Sequence, residues 1–368
     1  MILNKKDVRR NKSLRRNQKI DRKENRDRKL DNTSVLKRNV GKIVQLSSEE
    51  LLGKKVTEHK QSRVIGSSLT HTDFIDKLKQ TKLTGMSGNG FLVADKISTY
   101  IVSEAILGEK IIIVNAVECE PALYHDVWLL KNKATEIRDG LSILHKVLTP
   151  NRIILATRGK KEWELNVDQV EVKKVPLKYP MGEEHMLIHQ LTGVELANDC
   201  IPASKGILMI NVQTVYQIYR IFNECYDGGH YVTLANLTTG EARVAYVDEA
   251  VEITRLLEEA FGQESGLFVA GGGITSAKEI QREECFTNTI NFAAILKEVT
   301  ISNETPCKKC GGCSKKCPVG ISVKEIVLER EKNQEANISK WKPERCIHCQ
   351  TCTYFCMAGK DVASYVSV

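Results

Sequence analysis

The stretch Cys307-x2-Cys310-x2-Cys313-x3-Cys317-Pro318 decides how the last part of this 368-residue chain folds. A second run, Cys346-x2-Cys349-x2-Cys352-x3-Cys356, repeats its spacing. Three thiolates set two residues apart can hold one four-iron cluster, and a fourth thiolate three residues further on reaches a second cluster. The spacing therefore predicts two 4Fe–4S clusters with crossed ligands: Cys307, Cys310, Cys313 and Cys356 on the first, and Cys346, Cys349, Cys352 and Cys317 on the second.

Zinc and disulfide bonds are the two alternative uses of so many cysteines. Structural zinc sites place four thiolates in two separated pairs, whereas each run here is a triplet followed by a fourth cysteine. Disulfides are expected in secreted proteins, and this chain opens with a basic tract in place of an apolar signal segment. Met357 stands where a proline is expected, which weakens the turn and leaves the ligands intact. We therefore expect a reduced, cytoplasmic iron–sulfur protein.

Composition bounds the number of domains and the kinds of partner. A chain of this length can form two or three domains, each with its own core. Its apolar runs, such as Ile111 to Val114, are far shorter than the roughly 18 residues of a membrane-spanning helix. Any link to a membrane is therefore expected to go through a partner.

Residues 1–72 are predicted to be a basic tail and linker without a core. Residues 1–42 alone hold 16 lysines and arginines against 5 acidic residues, so the rest of the chain is slightly acidic. Few apolar side chains offset the entropy lost when such a segment orders. A solvated extension is favoured over docking to an acidic partner, anionic lipid or nucleic acid. Nucleic acid is disfavoured because the remaining chain offers no basic groove with aromatic side chains.

Residues 73–225 show the pattern of an α/β domain with a mostly parallel sheet. Apolar strands at 110–114, 153–156 and 206–210 alternate with amphipathic helices. Polar segments follow two of these strands, from Asn115 to Pro121 and from Asn211 to Thr214. Such folds bind ligands at the carboxyl ends of their strands. We expect both segments, and a third one around Gly182, to converge on one ligand.

A glycine-rich loop, Gly85-Met86-Ser87-Gly88-Asn89-Gly90-Phe91, precedes a helix predicted from Asp95 to Leu107. Glycines let backbone N–H groups approach a phosphate, and a helix N-terminus adds a favourable dipole. Taken alone, the pattern is equally consistent with a simple turn.

Two further domains are predicted downstream. The order strand, turn, strand, helix, strand in residues 226–275 indicates a small mixed α+β module, with strands at 231–237, 243–247 and 267–270. Residues 276–368 are predicted to form a helical domain around the cysteines. Within it, Ser322-x-x-Glu325 is the pattern of a capping box ahead of a helix.

Together these pieces resemble one protein family over roughly residues 73–356. The chain is similar to the C subunit of the Rnf electron-transport complex and, more distantly, to the flavin-bearing subunit of NADH:quinone oxidoreductase. Both cysteine runs match that family. So does the glycine loop with Lys96 after it, apart from Ser87, Asn89, Leu92 and Val93. Of the family's N-terminal barrel-sandwich region, only Gly41 to Leu46 has a counterpart, as its last strand. Proline-reductase-associated electron-transfer proteins and cobalamin reductases are similar in the same way.

The resemblance implies FMN and NADH as cofactors, a β-grasp module of the soluble-ligand-binding type near residues 230–273, and a helical ferredoxin domain with two clusters. It implies an oxidoreductase subunit that relays electrons between NADH or a reduced carrier and a partner reductase or membrane-bound Rnf-type complex. Alternatives are a cobalamin reductase-like protein and a flavin-free cluster relay or scaffold that docks through the basic tail. The residues that correspond to the family's flavin site are Gly88, Gly90, Phe91, Lys96, Asn115, Glu118, Glu120, Tyr179, Gly182, Glu183, Glu184, Asn211 and Thr214.

Four cysteines lie outside the two runs: Cys119, Cys200, Cys225 and Cys285. Each is expected to behave as a small buried apolar side chain. Cys119 lies between Glu118 and Glu120, and these carboxylates are expected to raise the pKa of its thiol.

Overall fold

The computed structural model describes residues 45–46, 52–53, 56, 69–87, 90–158, 170–176, 178–262, 266–273, 276–296, 306–332 and 335–366. They fall into two compact units: the large unit within residues 40–297, and the cysteine unit, which contains residues 306–366. The basic tract of residues 1–42 lies outside the described residues, as do Gly88 and Asn89. Among the described residues, no helix has both the length and the apolar character needed to cross a bilayer.

The large unit alternates strands and helices along most of its length. In chain order its elements are β1 (Gln45–Leu46), β2 (Leu52–Gly53), α1 (His71–Thr81), α2 (Val93–Val102), β3 (Ile111–Ala116), α3 (His125–Asn132), α4 (Ala134–Leu148), β4 (Arg152–Arg158), β5 (Val170–Val175), α5 (Glu184–Thr192), β6 (Ile207–Asn211), α6 (Val212–Phe222), β7 (His230–Asn236), β8 (Glu241–Val247), α7 (Ile253–Phe261), β9 (Leu267–Gly271), β10 (Lys278–Glu279) and β11 (Phe292–Leu296).

A four-stranded parallel sheet in the order β5-β4-β3-β6 forms the centre of this unit. Side chains alternate between its two faces: Ile112 and Val114 of β3 belong to one buried cluster, and Ile111 and Ile113 to another. Because helices cover both faces, the central strands are apolar throughout. The predicted α/β class with a parallel sheet is confirmed. Helix α2, however, ends at Val102, five residues before the predicted end.

The second sheet of the large unit is mixed and runs in the order β1-β8-β7-β11-β9-β10, with β2 also on β8. β7 pairs with β8 in an antiparallel hairpin and with β11 in parallel. A hairpin, a crossing helix and a parallel central pair are the β-grasp arrangement. The sheet continues past residue 275, where the module was predicted to end, because β11 lies between β7 and β9. The helical part therefore begins after Leu296 rather than at residue 276.

The cysteine unit consists of short helices around a small apolar core. Its helices are α8 (Gly312–Lys316), α9 (Val323–Glu331), α10 (Thr351–Tyr354) and α11 (Val362–Val366), with 3₁₀ turns at Glu335–Trp341 and Pro343–Arg345. Ile326, Val327, Val362 and Val366 are buried in that core, and six cysteines pack against it. The predicted capping box does not form, since the Ser322 side chain makes no cap hydrogen bond. The Lys324 N–H donates instead to Ser314 Oγ, at 2.9 Å.

Candidate cofactor sites

Two cavities open where the parallel sheet ends. The larger measures about 550 Å³, within the usual range for small-ligand sites, and the smaller about 280 Å³. They share Ser87 of the glycine loop and Asn211 at the end of β6. Two of the three predicted segments, after β3 and around Gly182, meet β6 at the larger cavity. The same cavity is lined by the end of β9 with the residues after it and by the residues before β11: Gly271, Gly272, Gly273, Thr289, Ile290 and Asn291.

The predicted flavin residues divide between these cavities. Gly90, Tyr179 and Glu183 line neither of them, and Gly88 lies outside the described residues. The larger cavity is lined by Asn115, Glu118, Glu120, Gly182 and Asn211. The smaller cavity is lined by Phe91, Lys96, Glu184, Asn211 and Thr214.

The glycine loop is held on both sides by side-chain hydrogen bonds. The Met86 N–H donates to Thr214 Oγ1 at 3.0 Å, and the Met86 carbonyl accepts from Asn291 Nδ2 at 2.8 Å. Gly90 has φ +66°, a left-handed conformation that other residues adopt only with strain. Leu92 is 42 % exposed, whereas Val93 is buried in the core. The loop is thus fixed between helix α6 and the mixed sheet.

Asn115 and Asn211 position the polar segments at the ends of their strands. Asn115 Nδ2 donates to the Gly182 carbonyl at 2.8 Å, and its Oδ1 accepts from the Val117 N–H. Asn211 Oδ1 accepts from the Gln213 N–H and so caps α6, while its Nδ2 donates to Asp126 Oδ2 at 2.8 Å. Two asparagines therefore tie the three segments together.

Lys96 and Glu184 form an ion pair in the smaller cavity, with 2.7 Å between Nζ and Oε1. The two side chains are 24 % and 28 % exposed. An anion that entered this cavity would compete with Glu184 for the ammonium group. Glu183 has a different role: its carboxylate accepts from the Met186 N–H and caps α5.

The side chain of Glu118 is fully buried, and its carboxylate lies at the N-terminus of α3. Its two oxygens accept from the backbone N–H groups of Asp126 and Val127, at 2.8 and 3.2 Å. Arg158 donates to the Glu118 carbonyl and lies 3.6 Å from its carboxylate. A carboxylate at a helix N-terminus is favoured by the dipole. The backbone of Glu118 has φ +41°, which is unusual for glutamate, and the hydrogen bonds to its side chain and carbonyl hold it in that conformation.

Three buried titratable groups meet beside the larger cavity. The ligand atoms of Glu118, His125 and Asp126 all lie within 4.8 Å of one another. Burial raises the pKa of Glu118, and the Asp126 charge adds to that rise; burial likewise raises the pKa of Asp126. Burial lowers the pKa of His125 to about 3, so this imidazole is neutral, with Nδ1 3.1 Å from Thr233 Oγ1.

The Cys119 thiol accepts a hydrogen bond from the Gly182 N–H at 3.0 Å. Its pKa rises to about 11, chiefly through burial, with Glu120 adding to the effect. The rise predicted from the sequence therefore has a larger cause than the neighbouring carboxylates. A Cβ on Gly182 would lie 3.0 Å from this sulfur, so the close approach of the two segments requires glycine.

Three site residues were missed by the sequence reasoning: His125, Asp126 and Asn291. Asn291 and Asp126 each carry a buried Oδ1 that has no hydrogen-bond partner among the described residues, and both line the larger cavity. His125 and Asp126 could have been found from the sequence, because they are two adjacent polar residues seven and eight positions after Glu118. Asn291 gave none, because its place depends on how β11 enters the sheet.

These features fit FMN. The Lys96 ammonium group is suited to a phosphate. The buried Oδ1 of Asn291 can accept from an N–H or O–H group of a polar ligand, and Asp126 Oδ1 can donate to one when it is protonated. Three of the seven loop residues are glycines, which have no side chain to obstruct a close approach.

In the cysteine unit, one small cavity is lined by Cys307, Cys310 and Cys313 of the first run together with Cys356 of the second. Burial raises the pKa of Cys346 and Cys352, and in both cases Cys317 is close enough to raise it further. Among the described residues, no three cysteine sulfurs lie within 4.8 Å of one another.

The two runs also repeat their backbone conformation. The Lys309 N–H donates to Cys307 Sγ and the His348 N–H to Cys346 Sγ, each at 3.4 Å. Lys309 and His348 have φ values of +55° and +52°. Such N–H···S bonds are typical of thiolates that ligate a cluster.

Comparisons with known proteins show which families this chain is similar to. Residues 78–220 match the Complex1_51K family model, described as the Nuo51 FMN-binding domain. The chain is 28 % identical over 275 residues to the C subunit of the ion-translocating oxidoreductase complex of Haemophilus influenzae (strain 86-028NP), and 26 % identical over 300 residues to that of Pasteurella multocida (strain Pm70). The resemblance expected from the sequence is confirmed.

These matches differ in how much of each protein they cover. The alignments span 71 % and 75 % of this chain but only 40 % and 35 % of those relatives. The fold is similar to an NAD⁺-reducing [NiFe]-hydrogenase structure in the H₂-reduced state, with a TM-score of 0.53 and 12 % identity. That likeness covers 81 % of this chain and 63 % of the hydrogenase chain, and it concerns the fold alone.

Proposed function

We propose that this chain is an electron-transfer subunit that holds FMN in the large unit and two 4Fe–4S clusters in the cysteine unit. The observation that carries the proposal is the cavity shared by Cys356 and the first cysteine triplet. Together with the closeness of Cys317 to the second triplet, it corresponds to the crossed ligands of two-cluster ferredoxins. Eight cysteines then serve two clusters, in agreement with their spacing.

In the proposed flavin site, each residue has a role that follows from its present contacts. Lys96 holds the phosphate after it separates from Glu184. Asn291 accepts a hydrogen bond from the flavin through its Oδ1, and the protonated Asp126 donates one from its own Oδ1. Asn115 and Glu118 hold the surrounding segments, because their polar atoms already bond the backbone. When bound, FMN accepts two electrons and passes them singly to one-electron carriers.

The proposed partners are protein complexes. The curated relatives are named as subunits of an ion-translocating oxidoreductase complex, which favours a partner of the same kind, attached to the membrane through its other subunits. NADH or a reduced carrier supplies electrons at the flavin side in this proposal. The location that follows is the cytoplasm or the cytoplasmic surface of such a complex.

Anaerobic reconstitution with iron, sulfide and FMN tests the proposal. We expect about eight irons and one tightly bound FMN per chain. Added NADH should then bleach the flavin absorption if NADH is the donor. Full iron content without flavin at micromolar FMN would leave a pure cluster relay. Two zinc ions in place of iron would contradict the proposal.

A further inference from the structure

Among the eight run cysteines, Cys310 is the exposed one, and the other seven are only partly exposed. Cys310 lines the small cavity with Cys307, Cys313 and Cys356. A cluster held by these four thiolates therefore comes nearest to solvent at Cys310. Exchange of single electrons between proteins is favoured where a centre lies close to the surface.

Lysine side chains close to Cys310 in the sequence concentrate positive charge around it. Lys308, Lys309, Lys315 and Lys316 are all exposed, and no acidic residue lies between Cys307 and Cys317. The second run is different, because the segment from Cys346 to Cys356 contains no lysine or arginine. The lysines thus lie inside the first run, whereas the exposed Lys342 and Arg345 precede the second.

Apolar side chains complete the same face. Tyr354, Phe355 and Met357 are 41 %, 42 % and 74 % exposed, an unusual density for four consecutive positions. The Lys316 Nζ lies 4.9 Å from the centre of the Phe355 ring. Phe355, Met357 and Lys308 also line the cavity with Cys310, so lysines of the first run lie beside these apolar side chains. We call it the Cys310 face.

We propose that the Cys310 face is the docking surface for a small acidic one-electron carrier protein. This inference rests on the proposed function and adds the partner's chemistry and the cluster at which it exchanges electrons. The lysines complement carboxylates around the carrier's own redox centre, and the apolar side chains exclude water at the middle of the contact. A four-iron cluster held by Cys307, Cys310, Cys313 and Cys356 would take up the one electron that the reduced carrier gives up, with no bond or proton moved.

Electrostatic docking has a kinetic signature that a wholly apolar contact lacks. Opposite charges raise association rates by about 10- to 1,000-fold at low ionic strength, and salt screens that gain. The Debye length falls from about 10 Å at 0.1 M to about 3 Å at 1 M salt. Mixing reconstituted protein with a pre-reduced acidic ferredoxin of the two-cluster type, and following cluster reduction by stopped flow, measures this dependence directly. We expect the second-order rate to fall at least about tenfold from 0.05 to 0.5 M salt.

Two double variants locate the effect. Lys315→Glu with Lys316→Glu should slow reduction by the ferredoxin at least about tenfold at low salt. Lys79→Glu with Lys146→Glu changes the net charge equally on exposed positions of α1 and α4, and should leave the rate within about twofold of the unmodified protein. Reduced methyl viologen, a small cationic donor, should reduce all three proteins, and the Lys315/Lys316 variant no more slowly than the others.

The outcomes separate this inference from the proposed function. A salt-independent ferredoxin rate in the unmodified protein, or equal slowing by both double variants, would overturn the Cys310 face as the docking surface. If the Lys315/Lys316 variant fails to retain iron, the salt dependence of the unmodified protein decides alone. If the protein holds its full iron content and is reduced by methyl viologen but not by ferredoxin, that result would support the proposed clusters and contradict the Cys310 face as the docking surface. If the protein binds no iron, both the proposed function and this inference are wrong.

Discussion

Cys356 lines the same small cavity as Cys313, although these two thiols come from opposite cysteine runs. The crossed assignment predicts that each run's fourth cysteine serves the cluster of the other run. Cys317→Ala should therefore damage the cluster on Cys346, Cys349 and Cys352 more than the one beside it in sequence. Cys356→Ala should do the reverse. Electron paramagnetic resonance of the reduced variants distinguishes the two clusters, and selective loss of the first-run cluster in Cys317→Ala would refute the crossing.

The Lys96–Glu184 ion pair gives opposite predictions for its two members. Lys96→Ala removes the proposed charge-assisted contact with the FMN phosphate and should cost about 1.5–3 kcal/mol, or roughly ten- to hundredfold in affinity. Glu184→Gln removes the competing anion and should tighten FMN binding. Fluorescence quenching of added FMN measures both affinities. Equal affinities in the two variants would show that the phosphate binds elsewhere.

The backbone at Gly90 predicts a loss of stability on substitution. At φ +66°, any residue with a Cβ is strained by about 1–2 kcal/mol, although among the described residues the added atom would meet only Thr289 Cγ2, at 3.5 Å. Gly90→Ala should lower the free energy of unfolding by about that amount. Gly85→Ala is the matched control, because its Cβ makes only an ordinary contact at 3.7 Å. Thermal unfolding of both variants tests this, and equal melting temperatures would argue against the loop conformation.

The buried Glu118 and Asp126 pair predicts a pH dependence of stability. Burial raises both pKa values, so the folded protein holds more protons than the unfolded chain above the ordinary carboxyl range, about pH 4. Stability from the protonated pair is fully present below that range and is lost as pH rises toward neutral and mildly alkaline values. The backbone donors and Arg158 favour an ionised Glu118, so we expect the proton on Asp126, whose Oδ1 has no hydrogen-bond partner among the described residues and lies 3.8 Å from His125 Nε2.

Asp126→Asn tests that assignment without any cofactor. The substitution removes one titrating group and should flatten the decline in melting temperature between pH 5 and pH 8 or so. The infrared band of a protonated carboxyl group at neutral pH should disappear as well. Persistence of the band in Asp126→Asn, together with its loss in Glu118→Gln, would place the proton on Glu118.

The sequence was most informative where a local pattern determines local structure. Apolar strands such as Ile111 to Val114 predict a sheet that is covered on both faces. The cysteine spacing predicts which thiols can share a cluster. The position of β11 could not be predicted in this way, since it depends on long-range pairing with β7 and β9. Asn291 was missed for the same reason. The Ser322 cap failed because the Ser314 hydroxyl, eight residues earlier, already bonds the helix.

The central claim is that one flavin and two clusters share this chain, and an anaerobic reductive titration tests it most directly. Reconstituted protein is titrated with dithionite while absorption of flavin and clusters is recorded. The account predicts about four electrons per chain, two for FMN and one for each cluster. An endpoint of two electrons with no flavin bleaching would contradict the flavin site, and an endpoint without any cluster bleaching would contradict the account as a whole.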